Sequence, residues 1–329
     1  MNIEYKNILV TGCAGFIGSK ISEMLLEQGV KVIGVDNLNN YYSPQLKEYR
    51  LAELQRIPDF EFYKLDVTHF DSLKEIFQQF KIDAVMNLAA RAGVRASVEN
   101  PWIYVETNMT GTLNLLELCR RFEVQKFVIA STSTIYGKNS PPFSENDQAD
   151  FQLSPYAASK KGAESLAYSY HHLYGIDITI PRYFTVYGPA GRPDMPTFKF
   201  IQYIAEGIPI PVYGDGTQER DFTYIDDTAL GSIAGLKSLG FEIVNLGSDR
   251  PVKLNYVIKL IEECLGKKAK IIYQPQHSAD MSITWADISK AKRLFDWQPK
   301  TTIEEGISNS VKWYVDNRDW AKDIWFSET

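Results

Sequence analysis

Tyr156 and Lys160 stand four residues apart in 155-PYAASKKGAE-164, a spacing that puts both on one face of a helix. A phenol beside an ammonium loses its proton more easily, because the positive charge favours phenolate. It could then take a proton from a substrate hydroxyl while hydride leaves the same carbon. Tyrosine and lysine also meet at this spacing by chance on exposed helices. The stretch 131-STSTIYG-137 strengthens the pair: Ser131, Thr132, Ser133 and Thr134 follow a run that reads as a buried strand, 126-KFVIA-130. Turn chemistry alone would account for hydroxyls there. The alternative is a row of donors and acceptors facing a polar ligand, with Thr132 bonding the substrate oxygen and Ser131 lining the side of a cofactor.

A hydride needs an acceptor, and 12-GCAGFIG-18 supplies a place for one. Gly12, Gly15 and Gly18 follow a strand and open a helix, so the backbone can approach a pyrophosphate whose charge sits at the helix N-terminus. Tight strand–helix packing would also want glycine. Asp36 ends the second strand, 18 residues past Gly18, where a carboxylate can accept both ribose hydroxyls of a dinucleotide. Asn37 and Leu38 follow, and no Arg or Lys adjoins Asp36 in the sequence. A 2′-phosphate would be repelled, which favours NAD over NADP.

These groups must be carried by alternating strands and helices. Strand-like runs lie at 7–12, 31–36, 60–67, 82–90, 126–131 and 176–184, with helical periodicity at 16–29, 71–80, 104–122 and 156–174. The strands are continuous apolar runs, as burial on both faces requires. The expected fold is α/β: a Rossmann-type doubly wound parallel sheet with a smaller α/β substrate-binding lobe. Beyond residue 185, Pro189, Pro193, Pro196, Pro209 and Pro211 break the chain into short pieces, before a helix at 224–236, a strand at 241–248 and helical segments at 254–266 and 303–317. Residues 1–184 with 223–248 are expected to bind NAD, and 185–222 with 249–329 to form the lobe on the sheet's carboxyl edge, where such sheets bind ligands.

Composition narrows the field. The 329 residues are 44% apolar and 23% charged, with net charge −6 and no basic run that would track phosphates, so no nucleic-acid partner is expected. Cys13, Cys119 and Cys264 lie far apart without a CxxC pair, which argues against a zinc site or disulfide framework and suits a reducing compartment. No apolar run reaches membrane-spanning length and no leader pattern opens the chain, so a cytoplasmic protein with no membrane partner is expected.

Together the glycine turn, Asp36, the 132–137 segment and the Tyr156/Lys160 pair resemble an extended short-chain dehydrogenase/reductase acting on nucleotide sugars. The resemblance runs through 87-NLAA-90, 108-NMTGTLNLLE-117 and 220-RDFTYIDD-227, over nearly the whole chain. It implies catalysis by Thr132, Tyr156 and Lys160. NAD would be held by Gly12, Gly15, Phe16, Ile17, Gly18, Asp36, Asn37, Asp66, Val67, Leu88, Ala89, Ala90, Asn108, Ser131, Tyr156, Lys160 and Tyr183. A UDP-sugar would meet Arg95, Thr132, Ser133, Thr134, Tyr156, Thr185, Arg192, Arg220 and Asp280. Arg91 stays unassigned, and His277 has no evident partner. Relatives also pair the helices at 104–122 and 156–174 with their copies, which implies a homodimer joined through apolar residues such as Leu113, Leu116, Leu118, Leu166, Tyr170 and Leu173.

Within this family the hydroxyl row discriminates. Nucleotide-sugar 4,6-dehydratases carry an Asp-Glu pair where this chain has Ser133 and Thr134, and UDP-glucuronate decarboxylases typically carry Glu at the position of Thr134. Redox chemistry without those carboxylates implies 4-epimerisation. The loop 181-PRYFTVYGPAGRPDM-195 is similar to that of UDP-glucuronate 4-epimerases, with Thr185 where epimerases of neutral hexoses usually have Asn. Arg192 would grip a sugar carboxylate bidentately, or else is a solvated loop charge. A 4-epimerase of neutral UDP-hexoses, such as UDP-glucose or UDP-N-acetylglucosamine, is the first alternative. A UDP-glucuronate decarboxylase is the second. A non-catalytic NAD-binding protein would be expected to have lost Tyr156 or Lys160.

Overall fold

Alternation along each early strand sends side chains to opposite faces, and both faces are apolar. Ile8 and Val10 point one way and Leu9 the other, so the strand must be covered twice. The computed structural model describes residues 3–275 and 282–326. It begins with β1 (Asn7–Thr11), α1 (Phe16–Glu27), β2 (Lys31–Asp36), α2 (Pro44–Gln55), β3 (Phe60–Lys64), α3 (Phe70–Gln79) and β4 (Ala84–Asn87). Next come α4 (Val94–Glu99), α5 (Pro101–Val105), a π-helical turn (Glu106–Thr110) and α6 (Gly111–Arg121). Then follow β5 (Lys126–Ile129), β6 (Ser131–Thr132), a 3-10 turn (Ser133–Tyr136), α7 (Pro155–Tyr174) and β7 (Asp177–Tyr183).

The chain continues with β8 (Thr185–Tyr187), α8 (Pro196–Glu206), β9 (Ile210–Tyr213), β10 (Glu219–Tyr224), α9 (Ile225–Ala234) and β11 (Phe241–Leu246). It ends with β12 (Pro251–Lys253), α10 (Leu254–Leu265), β13 (Ile271–Gln274), α11 (Ser289–Phe295), α12 (Ile303–Asp316) and α13 (Arg318–Ala321). The large sheet has the order β11-β7-β5-β4-β1-β2-β3, with β6 extending the pairing along β7, and every pairing is parallel. Ile8, Val10, Val32, Met86 and Val128 pack with Ile21, Leu25, Ala229 and Ile233 from α1 and α9. Leu9, Ile33, Val85, Phe127 and Ile129 pack with α3, α6 and α7 through Leu73, Phe77, Leu115, Ala163 and Ala167. The doubly wound expectation holds. Two small sheets, β12-β10-β8 and β13-β9, stand beside it. No described helix is long and apolar enough to cross a membrane.

Three local features differ from the sequence reading. α2 was not foreseen, although Ser43 followed by Pro44 is a helix-opening pattern. α8 forms in the proline-rich stretch because Pro196 sits at its first position, where a missing N–H costs nothing. The single helix expected over 104–122 is interrupted by the π-helical turn. Gly111 lets the following helix lie against Val67: a Cβ there would come within 2.6 Å of Val67 Cγ2.

Candidate active site

The strand order reverses between β1 and β4, and the carboxyl edge there is the switch point where open α/β sheets take ligands. Gly12 has φ +69°, and a Cβ on it would come within 2.7 Å of the Ala89 nitrogen. A Cβ on Gly18 would come within 2.2 Å of the Gly12 carbonyl oxygen, so only glycine lets α1 start this close to the turn. The Ala89 amide donates to Thr11 Oγ1 at 3.3 Å, and the Thr11 hydroxyl donates to Asn87 Oδ1 at 2.7 Å, locking the ends of β1 and β4 together. Past this turn opens a cleft lined by Gly12, Gly15, Phe16, Ile17, Gly18, Asp36, Asn37, Asp66, Val67, Leu88, Ala89, Ala90, Ser131, Tyr156, Lys160 and Tyr183. These are the expected cofactor residues apart from Asn108.

Asn108 lies behind the wall. The π-helical turn aims its amide at the Arg91 backbone, accepting from the nitrogen at 2.8 Å and donating to the oxygen at 3.0 Å. It also donates to Ser159 Oγ at 2.9 Å, joining the end of β4 to α7. At the other end of the cleft, Asp36 accepts from the amides of Ala14 at 3.2 Å and Leu38 at 2.8 Å. Asp66 accepts from Asn37 and Thr68; burial would raise its pKa, but these hydrogen bonds hold it below the usual carboxylate range.

Asp36 does have a basic neighbour, contrary to what its sequence surroundings suggested. Lys47 Nζ lies 3.7 Å from Asp36 Oδ1, with both side chains buried. Burial lowers the Lys47 pKa, and Arg50, Arg91 and Arg192 add to the lowering, while Asp36 opposes it. Lys47 stands on α2, so overlooking that helix hid it. Tyr41, Tyr42 and Arg91 also line the cleft, and the Arg91 guanidinium lies 5.5 Å from the Tyr41 ring centre.

Tyr156 and Lys160 are set by the start of α7. Ser154 caps it, accepting from the Ala157 amide at 3.2 Å, and Pro155 fixes the first position. Tyr156 is half-buried, and enclosure raises its pKa; a hydrogen bond with Thr132 and the charge of Arg192 act the other way. Enclosure thus favours the protonated phenol. Lys160 is 3% exposed, and burial pulls its pKa down to about 8 against the field of Glu164. Glu164 is itself held: Arg182 donates to it at 2.9 and 2.7 Å, and Ser131 Oγ donates at 2.7 Å. Ser131 thus lines the cleft with its hydroxyl committed to Glu164.

Thr132 Oγ1 accepts from the Thr134 amide at 3.2 Å and shares a 3.0 Å hydrogen bond with Thr134 Oγ1. The hydroxyl row therefore runs from β6 into the 3-10 turn and closes on itself beside Tyr156. Arg192 lines the cleft too, but its Nε donates to Asp194 Oδ1 at 3.0 Å and its Nη2 to Asp194 Oδ2. Expected to be open for a carboxylate, the arginine already holds one, leaving Nη1 for a ligand. Burial opposes its charge, but Asp194 more than offsets this and raises its pKa.

Among the described residues, the remaining expected substrate residues do not line that cleft. Thr185 opens β8 opposite Phe222 of β10. Arg220 Nη1 donates to the Glu219 carbonyl at 2.9 Å, and the Arg95 guanidinium stacks 4.0 Å from the Tyr213 ring centre. Asp280 and His277 fall outside the described residues. Among the described residues, no group of three or more His, Cys, Asp or Glu is placed to hold a metal ion.

A dinucleotide turn at the switch point of a parallel sheet, with Tyr156, Lys160 and Thr132 at its far end, defines an extended short-chain dehydrogenase/reductase. A family profile described as GDP-mannose 4,6 dehydratase matches residues 9–310, and the chain belongs to that family. It is 58% identical over 317 residues to a UDP-glucuronate 4-epimerase of Thermodesulfobacterium geofontis (strain OPF15), covering 96% of this chain and 98% of that one. The UDP-glucuronic acid 4-epimerase from Bacillus cereus, solved with UDP-glucuronic acid and NAD, superposes with a TM-score of 0.90 at 37% identity, over 94% of this chain and 99% of that one. The UDP-glucose 4-epimerase of Thermotoga maritima, solved with UDP-glucose, gives 0.88 at 32% identity, over 95% and 99%.

Proposed function

We propose that this protein is an NAD-dependent UDP-glucuronate 4-epimerase that interconverts UDP-glucuronic acid and UDP-galacturonic acid. One observation carries the choice within the family: the turn beside Tyr156 and Lys160 offers hydroxyls and no carboxylate, while a charged Arg192 faces the same cleft. Elimination of water lacks its acid and base, and Arg192, held by Asp194 through Nε and Nη2, keeps Nη1 for a sugar carboxylate.

The glycine turn fits a pyrophosphate, since it brings backbone close and opens α1 at its positive end. Asp36 would accept the adenosine ribose hydroxyls; Lys47 offsets part of its charge, so the preference for NAD over NADP rests on the carboxylate taking the place that a 2′-phosphate would need. NAD held there would supply the acceptor, and then the donor, of the hydride exchanged with carbon 4. Tyr156 removes the proton of the 4-hydroxyl and later gives it back, with Thr132 sharing a hydrogen bond to the same oxygen. Lys160 would favour the phenolate by its charge, adding to the Thr132 hydrogen bond and the field of Arg192, as would an oxidised nicotinamide bound there. Ser133, Thr185 and Arg192 hold the sugar carboxylate, and Arg95, Arg220 and Asp280 the nucleotide end. The lobe of 185–222 with 249–329 thus serves the sugar nucleotide, and 1–184 with 223–248 the cofactor.

Incubation with UDP-glucuronate, UDP-glucose and UDP-N-acetylglucosamine, with products resolved by mass and NMR, tests the reading. UDP-galacturonate should dominate. Preferential turnover of a neutral sugar would overturn the substrate assignment and leave the Tyr156 chemistry standing.

The protein acts as a cytoplasmic homodimer in this reading. Free thiols at Cys13, Cys119 and Cys264 suit a reducing compartment. Leu116 and Leu118, named from the sequence as interface residues, are fully buried within the chain's own core. Leu113 and Leu173, also named from the sequence, are exposed, together with Trp102, Val105, Tyr168 and Tyr174, on α5, α6 and α7. So much apolar surface on adjoining helices favours burial against a second copy. Light scattering at micromolar concentration should give a dimer mass; a monomer would refute the assembly.

A further inference from the structure

Arg50 is 4% exposed, yet none of its hydrogen bonds goes to a carboxylate among the described residues. It donates to the Ala14 carbonyl at 3.2 Å and to Tyr42 Oη at 2.8 Å from Nη1. From Nε and Nη2 it donates to the Ala190 carbonyl at 3.1 and 2.6 Å, and Nη2 also reaches the Gly191 carbonyl at 3.2 Å. Its guanidinium lies over the rings of Phe16 and Tyr42, 5.8 and 5.7 Å from their centres. One side of the fork thus holds the glycine turn, and the other holds the loop that bears Arg192.

That loop is strained where Arg50 grips it. Ala190 has φ +51°, a left-handed conformation in which a Cβ is crowded. Such a conformation persists only where its surroundings over-determine it, and two hydrogen bonds to the Ala190 carbonyl do so. Arg192 follows two residues later, and the Met195 amide donates to its carbonyl at 3.1 Å before α8 begins. A buried cation is costly, and a neutral side chain could fill the space. The planar five-donor fork is what can bridge carbonyls on two segments at once.

We propose that Arg50 is a positioning residue for Arg192, pinning the strained substrate loop to the cofactor's glycine turn. The proposal rests on the assignment of UDP-glucuronate as substrate. If the tie is lost, Ala190 relaxes out of its left-handed conformation and Arg192 leaves the sugar carboxylate, which can then rotate and escape as carbon dioxide.

The test compares Arg50→Gln, Arg50→Lys and the double variant Arg50→Gln/Ala190→Gly, each normalised to its NAD content. For the two single variants, kcat/KM with UDP-glucuronate should fall by about 10- to 100-fold, the scale of an ångström misplacement. UDP-4-keto-pentose should appear among the products while affinity for UDP stays at the wild-type level. Glycine takes the left-handed conformation without penalty, so Ala190→Gly should recover part of the loss. Wild-type kcat/KM without keto-pentose in the folded variants would overturn the proposal, as would a parallel loss of UDP affinity. If Arg50→Gln does not fold, Arg50→Lys, which keeps the charge but not the fork, decides. A wild type inactive on UDP-glucuronate would instead defeat the substrate assignment. Hydrogen exchange across 188–195 would then decide the tie, faster exchange in Arg50→Lys supporting it and unchanged exchange overturning it.

Discussion

Tyr156→Phe should lower turnover of UDP-glucuronate by about 10²–10⁴-fold, the range that a positioned proton-transfer group contributes. The ring would still pack edge-on against Tyr104, whose centre lies 6.1 Å away, so the fold should survive. Only the hydroxyl, with its bond to Thr132, is lost. The loss should appear in kcat far more than in KM, because the proton moves in the transition state and not on binding. Steady-state kinetics on protein with a wild-type circular dichroism spectrum checks this. Near-normal turnover would remove Tyr156 from the mechanism.

Replacing Arg192 by His or Ala should have the second-largest effect, and a different signature. The 4-keto intermediate of a uronic acid is a β-keto acid. When its carboxylate aligns with the carbonyl π-system, the bond to the carboxyl carbon breaks. Carbon dioxide then leaves, and the electron pair becomes an enolate that takes a proton. Arg192 restrains the carboxylate through a charge-assisted hydrogen bond, worth roughly 1.5–3 kcal/mol. Its loss should cut use of UDP-glucuronate about tenfold or more while sparing affinity for UDP. UDP-4-keto-pentose, identified by mass and NMR, should be released, one NADH being left on the enzyme for each molecule formed. Normal epimerisation without that product would reduce Arg192 to a loop charge held by Asp194.

How much of this was legible beforehand depended on the range of the signal. The strand–helix alternation, the glycine turn, Asp36 and the Tyr156/Lys160 pair are encoded locally, by periodicity and fixed spacing, and the structure brings them together. Lys47 and Arg50 were missed because their function depends on where α2 docks, which is set by packing rather than by neighbours in sequence. The Ser43-Pro44 opening and the apolar positions Leu46, Leu51 and Leu54 would have located the helix, though not its partners. Asp194 was overlooked for another reason. A carboxylate two residues from an arginine reads as a solvated pair until both are seen in one cleft. Leu116 and Leu118 misled because a helix buried on more than one side shows the same wide apolar stripe as one that meets a second subunit.

The pairing of β11 with β7 has a consequence for how the chain can be made. β7 receives its outer neighbour only after β8, α8, β9, β10 and α9 have been synthesised. Until then β7 offers an open row of backbone donors and acceptors flanked by Ile178 and Ile180, the kind of edge onto which other chains can stack. Residues on both sides of this detour, from Phe16 and Tyr183 to Val244, Leu246 and Leu254, share one apolar core. A cut after Phe184 would therefore leave a first piece with an unclosed edge and half a core. The nascent chain carries the same hazard for as long as the ribosome takes to deliver β11, so speed of completion matters to its solubility.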